Sequence, residues 1–278
     1  MPKQAVVLKD LLCLLEEIAA SDLAEPWDNV GLMVGDPNQI VSGVLVALDP
    51  TEDVLVEAVN LGCNVLLTHH PLIFKPMKAL VLDTYPGRLL AKAVTDGIAV
   101  VGCHTNLDKT AGGVNDALAK AIGLSDCGGL EVDNDENPGA GFGRIGRLSP
   151  ARSFDAFSSG LMKALDLPVL RIAGPKPLQV EWVAVCGGSG SDLAEKACAA
   201  GAQVYVTGEV KHSTARWAED AGFCVIDAGH YSTENMVVPA LASLVRSRMQ
   251  EKGVEINVKE TGIQTSPFRV VFRDQGTV

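Results

Sequence analysis

The sequence carries a diverged internal repeat, and that repeat constrains the fold more than any other feature. Sliding Val44–His70 by 139 positions onto Val183–Glu209 matches seven of 27 positions without a gap: Val44/Val183, Val46/Val185, Asp53/Asp192, Ala58/Ala197, Gly62/Gly201, Val65/Val204 and Thr68/Thr207. The first copy then carries 13 extra residues within Pro71–Gly87, and the alignment resumes at an offset of 126. His104 then falls on His230, and Asp108 on Glu234. A His-x3-acid step behind an apolar strand in both copies strengthens identities that are weak alone. The competing reading is shared βαβ grammar, in which Gly-x-x-Val is how a helix turns into a strand.

Strands and helices alternate along each copy. Val44–Leu48, Val65–Thr68 and Ile98–Gly102 are short continuous apolar runs, as expected of buried parallel strands. Leu8–Ala20, Thr51–Leu61, Arg88–Asp96 and Ala111–Ile122 have helical spacing, with Thr51 as an N-cap. This rhythm predicts two similar α/β domains, pseudo-duplicated, each a mostly parallel sheet with flanking helices. Between the copies, Cys127–Pro150 is rich in Gly, Asp, Asn and Pro and reads as a loop or linker. The expected domains are 1–128 and 129–278. Val254–Val258 and Phe268–Phe272 alternate weakly and are candidate edge strands.

All five histidines lie in four short polar segments: Thr68-His69-His70-Pro71, His104–Asp108, Glu209–His212 and His230–Glu234. Imidazole and carboxylate are the usual ligands of zinc, iron or manganese. His69-His70 follows a strand directly, where parallel sheets bind ligands. Side chains adjacent on extended backbone point apart, so the pair is expected to serve two ions. His104/Asp108 and His230/Glu234 have the i,i+4 spacing that puts both groups on one helix face. Asp108 reads equally well as a helix N-cap, and Glu234 as a first-turn acid favoured by the helix dipole. Glu234 is also placed to bridge two cations. His212 sits inside a helical stretch and has the weakest claim. Glu209 occupies the repeat position of His70 and is expected to face the same cleft.

Composition narrows the function. A net charge of −11 over 278 residues argues against nucleic acid and anionic membranes as partners. The N-terminus lacks a signal-peptide pattern, and no apolar run reaches the ~18 residues needed to span a bilayer. A soluble cytoplasmic protein is expected. Seven cysteines with no C-x-x-C pair read as small buried hydrophobes of a reducing compartment, with Cys103 the candidate reactive thiol.

Four stretches carry a resemblance: Trp27-Asp28-Asn29-Val30-Gly31-Leu32, Leu67–Leu72, His104–Asp108 and Asp227–Glu234. In these the chain resembles the short form of the Nif-three-like family of dinuclear-metal-centre proteins, labelled GTP cyclohydrolase type 2 homologues. The resemblance implies two α/β domains with the metal site in the cleft between them. It implies two divalent ions per chain, held by His69, His70, Asp108, His230 and Glu234. The repeat makes His104 a sixth ligand or a partner behind the ligands. The resemblance also implies a toroidal homohexamer.

The expected function is a metal-dependent hydrolase acting on a small, nucleotide-like substrate. In a GTP cyclohydrolase-type reaction, metal-bound hydroxide would open the purine imidazole ring. Glu209, His104 and His212 are the candidate proton carriers. The alternatives are a non-catalytic regulator or metal-handling assembly, and a phosphoesterase. A ring around a nucleic-acid duplex conflicts with the acidic balance. Gly187-Gly188-Ser189-Gly190-Ser191 lies between a strand and a helix, so it is either a phosphate-holding loop or a plain connection.

Overall fold

The computed structural model describes residues 5–132 and 140–271. The first half runs α1 (Leu8–Ile18), β1 (Gly31–Val34), β2 (Val44–Ala47), α2 (Glu52–Asn60), β3 (Val65–Thr68), α3 (Gly87–Thr95), β4 (Ala99–Gly102), α4 (Thr105–Lys109) and α5 (Val114–Ala121). The second runs β5 (Ser125–Val132), β6 (Gly141–Ser153), α6 (Phe154–Ala164), β7 (Arg171–Ala173), β8 (Gln179–Cys186), α7 (Ala194–Ala199), β9 (Val204–Thr207), α8 (His212–Ala221), β10 (Cys224–Asp227), α9 (His230–Glu234), α10 (Val237–Glu251) and β11 (Val258–Glu260). Thr51 caps α2 as its sequence implies: its hydroxyl accepts from Val54 N–H at 3.3 Å.

The strands form two sheets, ordered β1-β4-β3-β2-β11 and β5-β6-β8-β9-β10-β7. The first is parallel except where β1 joins its edge. The second has a parallel centre, β8-β9-β10, extended by antiparallel strands on both sides. Central strands such as Val44–Ala47 and Val65–Thr68 are buried along their length, because helices cover both faces. Among the described residues no helix is long and apolar enough to cross a membrane.

The repeat is visible in the strand register. Val44 pairs with Val65, and their repeat mates Val183 and Val204 pair in the same way. The third strands differ by one residue. Thr68 pairs with Gly102, and its mate Thr207 pairs with Asp227. One residue then separates Gly102 from His104, whereas Ala228 and Gly229 separate Asp227 from His230. Gly229 absorbs the extra residue at a φ of 79°, a conformation glycine adopts without strain.

Two expectations need correction. Cys127–Pro150 is not a linker. Its ends are β5 and β6, paired Gly128 to Ile145 and Gly129 to Arg144. Its glycines serve close approach: a β-carbon at Gly146 would stand 2.6 Å from Cys127 Sγ. The run Asp133–Pro138 lies outside the described residues.

The division at 128/129 also fails to separate the sheets. After α9 the chain crosses back. α10 packs Val237, Leu241 and Val245 into one core with α1 and β2, and β11 extends the first sheet in parallel with β2. Conversely, α5 gives Leu118 and Ala119, and Ile122 just past its end, to the core beneath the second sheet. These long-range pairings depend on complementary apolar faces, which local patterns do not announce. The candidate edge strand Val254–Val258 meets β11 only at Val258; of the candidate Phe268–Phe272, residues 268–271 form no strand, and Phe272 lies outside the described residues.

Candidate metal centre

The C-terminal ends of the parallel strands of both sheets converge. β3 delivers His69 and His70, and β4 leads into His104 and α4 with Asp108. β10 leads into α9, which carries His230 and Glu234 on successive turns. The chain bends at 69–70, so the two rings do not point apart as extended backbone would require. Their centroids lie 5.0 Å apart in the same cleft.

Each imidazole is anchored through one nitrogen. His69 Nδ1 meets the Cys103 carbonyl at 2.9 Å. His70 Nδ1 meets Asp49 Oδ1 at 2.7 Å, His104 Nδ1 meets Asp28 Oδ1 at 2.8 Å, and His230 Nδ1 meets Glu209 Oε1 at 2.8 Å. Carbonyl and carboxylate oxygens only accept, so Nδ1 carries the proton in each ring, and a neutral ring keeps a lone pair on Nε2. Carboxylate behind imidazole is the arrangement that orients metal-binding histidines.

The free ends face one another. His70 Nε2 and His230 Nε2 are 3.3 Å apart and lie 3.1 and 2.9 Å from Glu234 Oε2. His69 Nε2 lies 3.7 Å from both Glu234 Oε1 and Asp108 Oδ1. His69 Nε2 and Asp108 Oδ1 are buried without a hydrogen-bond partner. Buried polar atoms normally have one, and imidazole and carboxylate atoms left unpartnered side by side are groups that could bind a metal ion. Three groups could hold an ion: His69/Asp108/Glu234, His70/His230/Glu234 and His69/His70/His104. Glu234 belongs to two of them and turns a different oxygen to each.

The electrostatics of the metal-free protein agree. Burial works against a charged His70, but its bonds to Asp49 and Glu234 carry it up to about 10. Burial likewise opposes a charged His230, and Glu234 with Glu209 raises it to about 9. Burial lifts Asp108 to about 7 against the pull of His69. Burial would also raise Asp28, yet bonds from His104 and Thr105 hold it well below the usual carboxylate range. Protons thus supply the positive charge that these carboxylates demand.

The sequence candidates divide. His69, His70, His104, Asp108, His230 and Glu234 are brought together. Glu209 is beside them, but its carboxylate is engaged by His230 and by Ser189 Oγ at 2.6 Å. His212 is exposed at the start of α8 and does not line the cavity over the cluster. Cys103 is buried and pushed up to about 12 by that burial, which removes it as a reactive thiol. The glycine loop is a connection: the amides of Gly187, Gly188 and Gly190 are donated to Asn115, Thr233 and Thr207.

Asp49 is the residue the sequence reading missed. Its repeat mate is Gly188, so the repeat gives it no counterpart. Gln264 grips it from the C-terminal segment: Gln264 Oε1 accepts from Leu48 N–H at 2.7 Å, and its amide donates to the Asp49 carbonyl at 2.8 Å. The only available signal was an acid at a strand end, in Leu48-Asp49-Pro50.

Residues 6–267 match the family described as Duf34/NIF3 (NGG1p interacting factor 3). The chain belongs to the Duf34/NIF3 family. A curated relative from Clostridium acetobutylicum, named GTP cyclohydrolase 1 type 2 homolog, is 31% identical over 94% of this chain and 98% of its own. One from Lactococcus lactis with the same name is 32% identical over 94% and 98%. Among solved structures, the Staphylococcus aureus protein SA1388 superposes with a TM-score of 0.90 at 30% identity, covering 96% of this chain and 100% of that one. Reduced HcgD from Methanocaldococcus jannaschii superposes at 0.76 with 28% identity, over 94% and 100%. The two-sheet architecture is therefore that of the NIF3 proteins.

Proposed function

We propose that this chain holds two divalent ions, zinc, iron or manganese, and is a metal-dependent hydrolase of a nucleotide-like substrate. The observation that carries the reading is the unpartnered pair His69 Nε2 and Asp108 Oδ1, with Glu234 beside them, beneath an open cavity. That cavity encloses about 670 Å³ and is walled by Trp27 and Phe74. An accessible space over the ligands favours catalysis over a closed structural or storage site. The name GTP cyclohydrolase 1 type 2 homolog, borne by the relatives, supports hydrolytic opening of a purine imidazole ring with release of formate.

Ions bound there supply Lewis acidity and acidify water. The protein's own groups do the rest. Asp49, Asp28 and Glu209 fix the ring orientations of His70, His104 and His230. His104 lines the cavity and is backed by a carboxylate that stays ionised, so it is the residue placed to move a proton. A toroidal homohexamer belongs to the proposal through the family, and light scattering in solution tests it.

The test of activity is formate release from GTP by chelated protein reloaded in turn with zinc, manganese and ferrous iron. Glu234→Ala and the chelated protein are the controls. Metal-dependent formate that vanishes in both controls supports the hydrolase. No formate with any ion, despite bound metal, rejects the cyclohydrolase reaction and leaves the phosphoesterase and non-catalytic readings, which a screen of phosphoesters separates.

A further inference from the structure

The cavity over the cluster combines an aromatic wall with a lining that, among the described residues, has no lysine or arginine. One wall is aromatic. Trp27, 59% exposed, meets Phe74 edge-to-face at 5.9 Å, and both rings lie about 6 Å from His104. Phe142 lines the same cavity. Exposed rings above a reactive cluster cost the free protein solvated apolar surface, and a planar heteroaromatic ligand recovers it by stacking.

Among the described residues that line the cavity there is no Lys or Arg. Its outer acids, Glu25, Glu131 and Asp192, are each paired with a lysine: Lys109 at 2.6 Å, Lys196, and Lys211 at 2.8 Å. These pairs leave that rim close to neutral. Five carboxylates (Asp28, Asp49, Asp108, Glu209 and Glu234) surround the histidines. Two dications would not outweigh them. Of the Gly187–Ser191 loop, the other element suited to phosphate, the amides of Gly187, Gly188 and Gly190 are already donated to Asn115, Thr233 and Thr207.

We infer that the cavity selects a planar heteroaromatic ring without polyphosphate, a nucleobase or nucleoside, over the corresponding nucleoside triphosphate, with Trp27 and Phe74 as the platform. The inference rests on the nucleotide-like reading of the site and narrows it. The triphosphate adds repulsion without adding a partner, so each phosphate should weaken binding, and salt should narrow the difference.

Calorimetric titration of the full-length, metal-loaded protein with guanosine, GMP and GTP tests this, with metal content measured after each run because GTP chelates. The expected order is guanosine tightest and GTP weakest, at least tenfold apart at low salt. Trp27→Ala, at an exposed position, should weaken guanosine at least tenfold with metal content unchanged. GTP binding as tightly as guanosine, no binding by any of the three, or an unaffected Trp27→Ala would overturn it. Guanosine binding without formate release would reject only the hydrolase. Formate release with GTP bound tightest would reject only the selectivity.

Discussion

Gly188 lies directly against the carboxylate of Glu234: a β-carbon built at Gly188 would overlap Glu234 Oε1. Gly188 is the repeat mate of Asp49, and Gly208 is the mate of His69. A β-carbon at Gly208 would stand 2.7 Å from the His230 Cα. The second copy thus gives up two side chains, one at Gly188 to make room for the Glu234 carboxylate and one at Gly208 to make room for the start of α9. The duplication has become one asymmetric site.

Gly188→Ala should therefore push Glu234 out of place. The position also has a φ of 61°, which costs a non-glycine residue roughly 1–2 kcal/mol. Bound metal per chain should fall sharply while the far-ultraviolet circular dichroism is kept. Metal content equal to that of the unaltered protein would show that Glu234 is not a ligand.

Asp49→Ala leaves every proposed ligand in place but frees His70 to turn. Losing such a partner typically costs ~10–100-fold in metal affinity. Competition with a chelator measures it. Gln264→Ala, which loosens the Asp49 backbone, should move affinity in the same direction by less.

Asp108→Ala and Glu234→Ala should each strip metal, whereas His212→Ala should not, because His212 is outside the cluster. Equal metal content in all three variants would refute the ligand assignment.

The metal-free protein should lose stability as pH rises. Burial lifts Asp108 from 3.8 to about 7. Despite their burial, acidic partners raise His70 and His230 from 6.5 to about 10 and about 9. All three hold protons more tightly folded than unfolded. Their contribution is complete below the unfolded values and is lost as pH rises through about 7, 9 and 10. The Tm of chelated protein should fall between about pH 6.5 and 10. That of metal-loaded protein should hold, since deprotonation favours the metal. Parallel curves would contradict this.

Much of this was legible because parallel α/β proteins write their strands as short apolar runs and put function at the strand ends. Val65–Thr68 and the helix capped by Thr51 stand where their patterns place them. The His-x3-acid steps led to the cluster, because i,i+4 spacing brings His230 and Glu234 together regardless of tertiary detail. What was not legible is what distance in the chain conceals. Asp49 acquires its role only when the fold brings it to His70. The β5–β6 pair imitates a linker because close backbone contact calls for the same glycines as a turn. The return of α10 and β11 to the first sheet rests on a match between faces over 200 residues apart in the chain.

The most direct test of the account is an anomalous-scattering map of crystals of the metal-reconstituted protein, with metal content measured on the same sample. The account predicts two ions per chain, one among His69, Asp108 and Glu234 and one among His70, His230 and Glu234, with at least one lost in Glu234→Ala. A single ion, or ions bound away from Glu234, would contradict it.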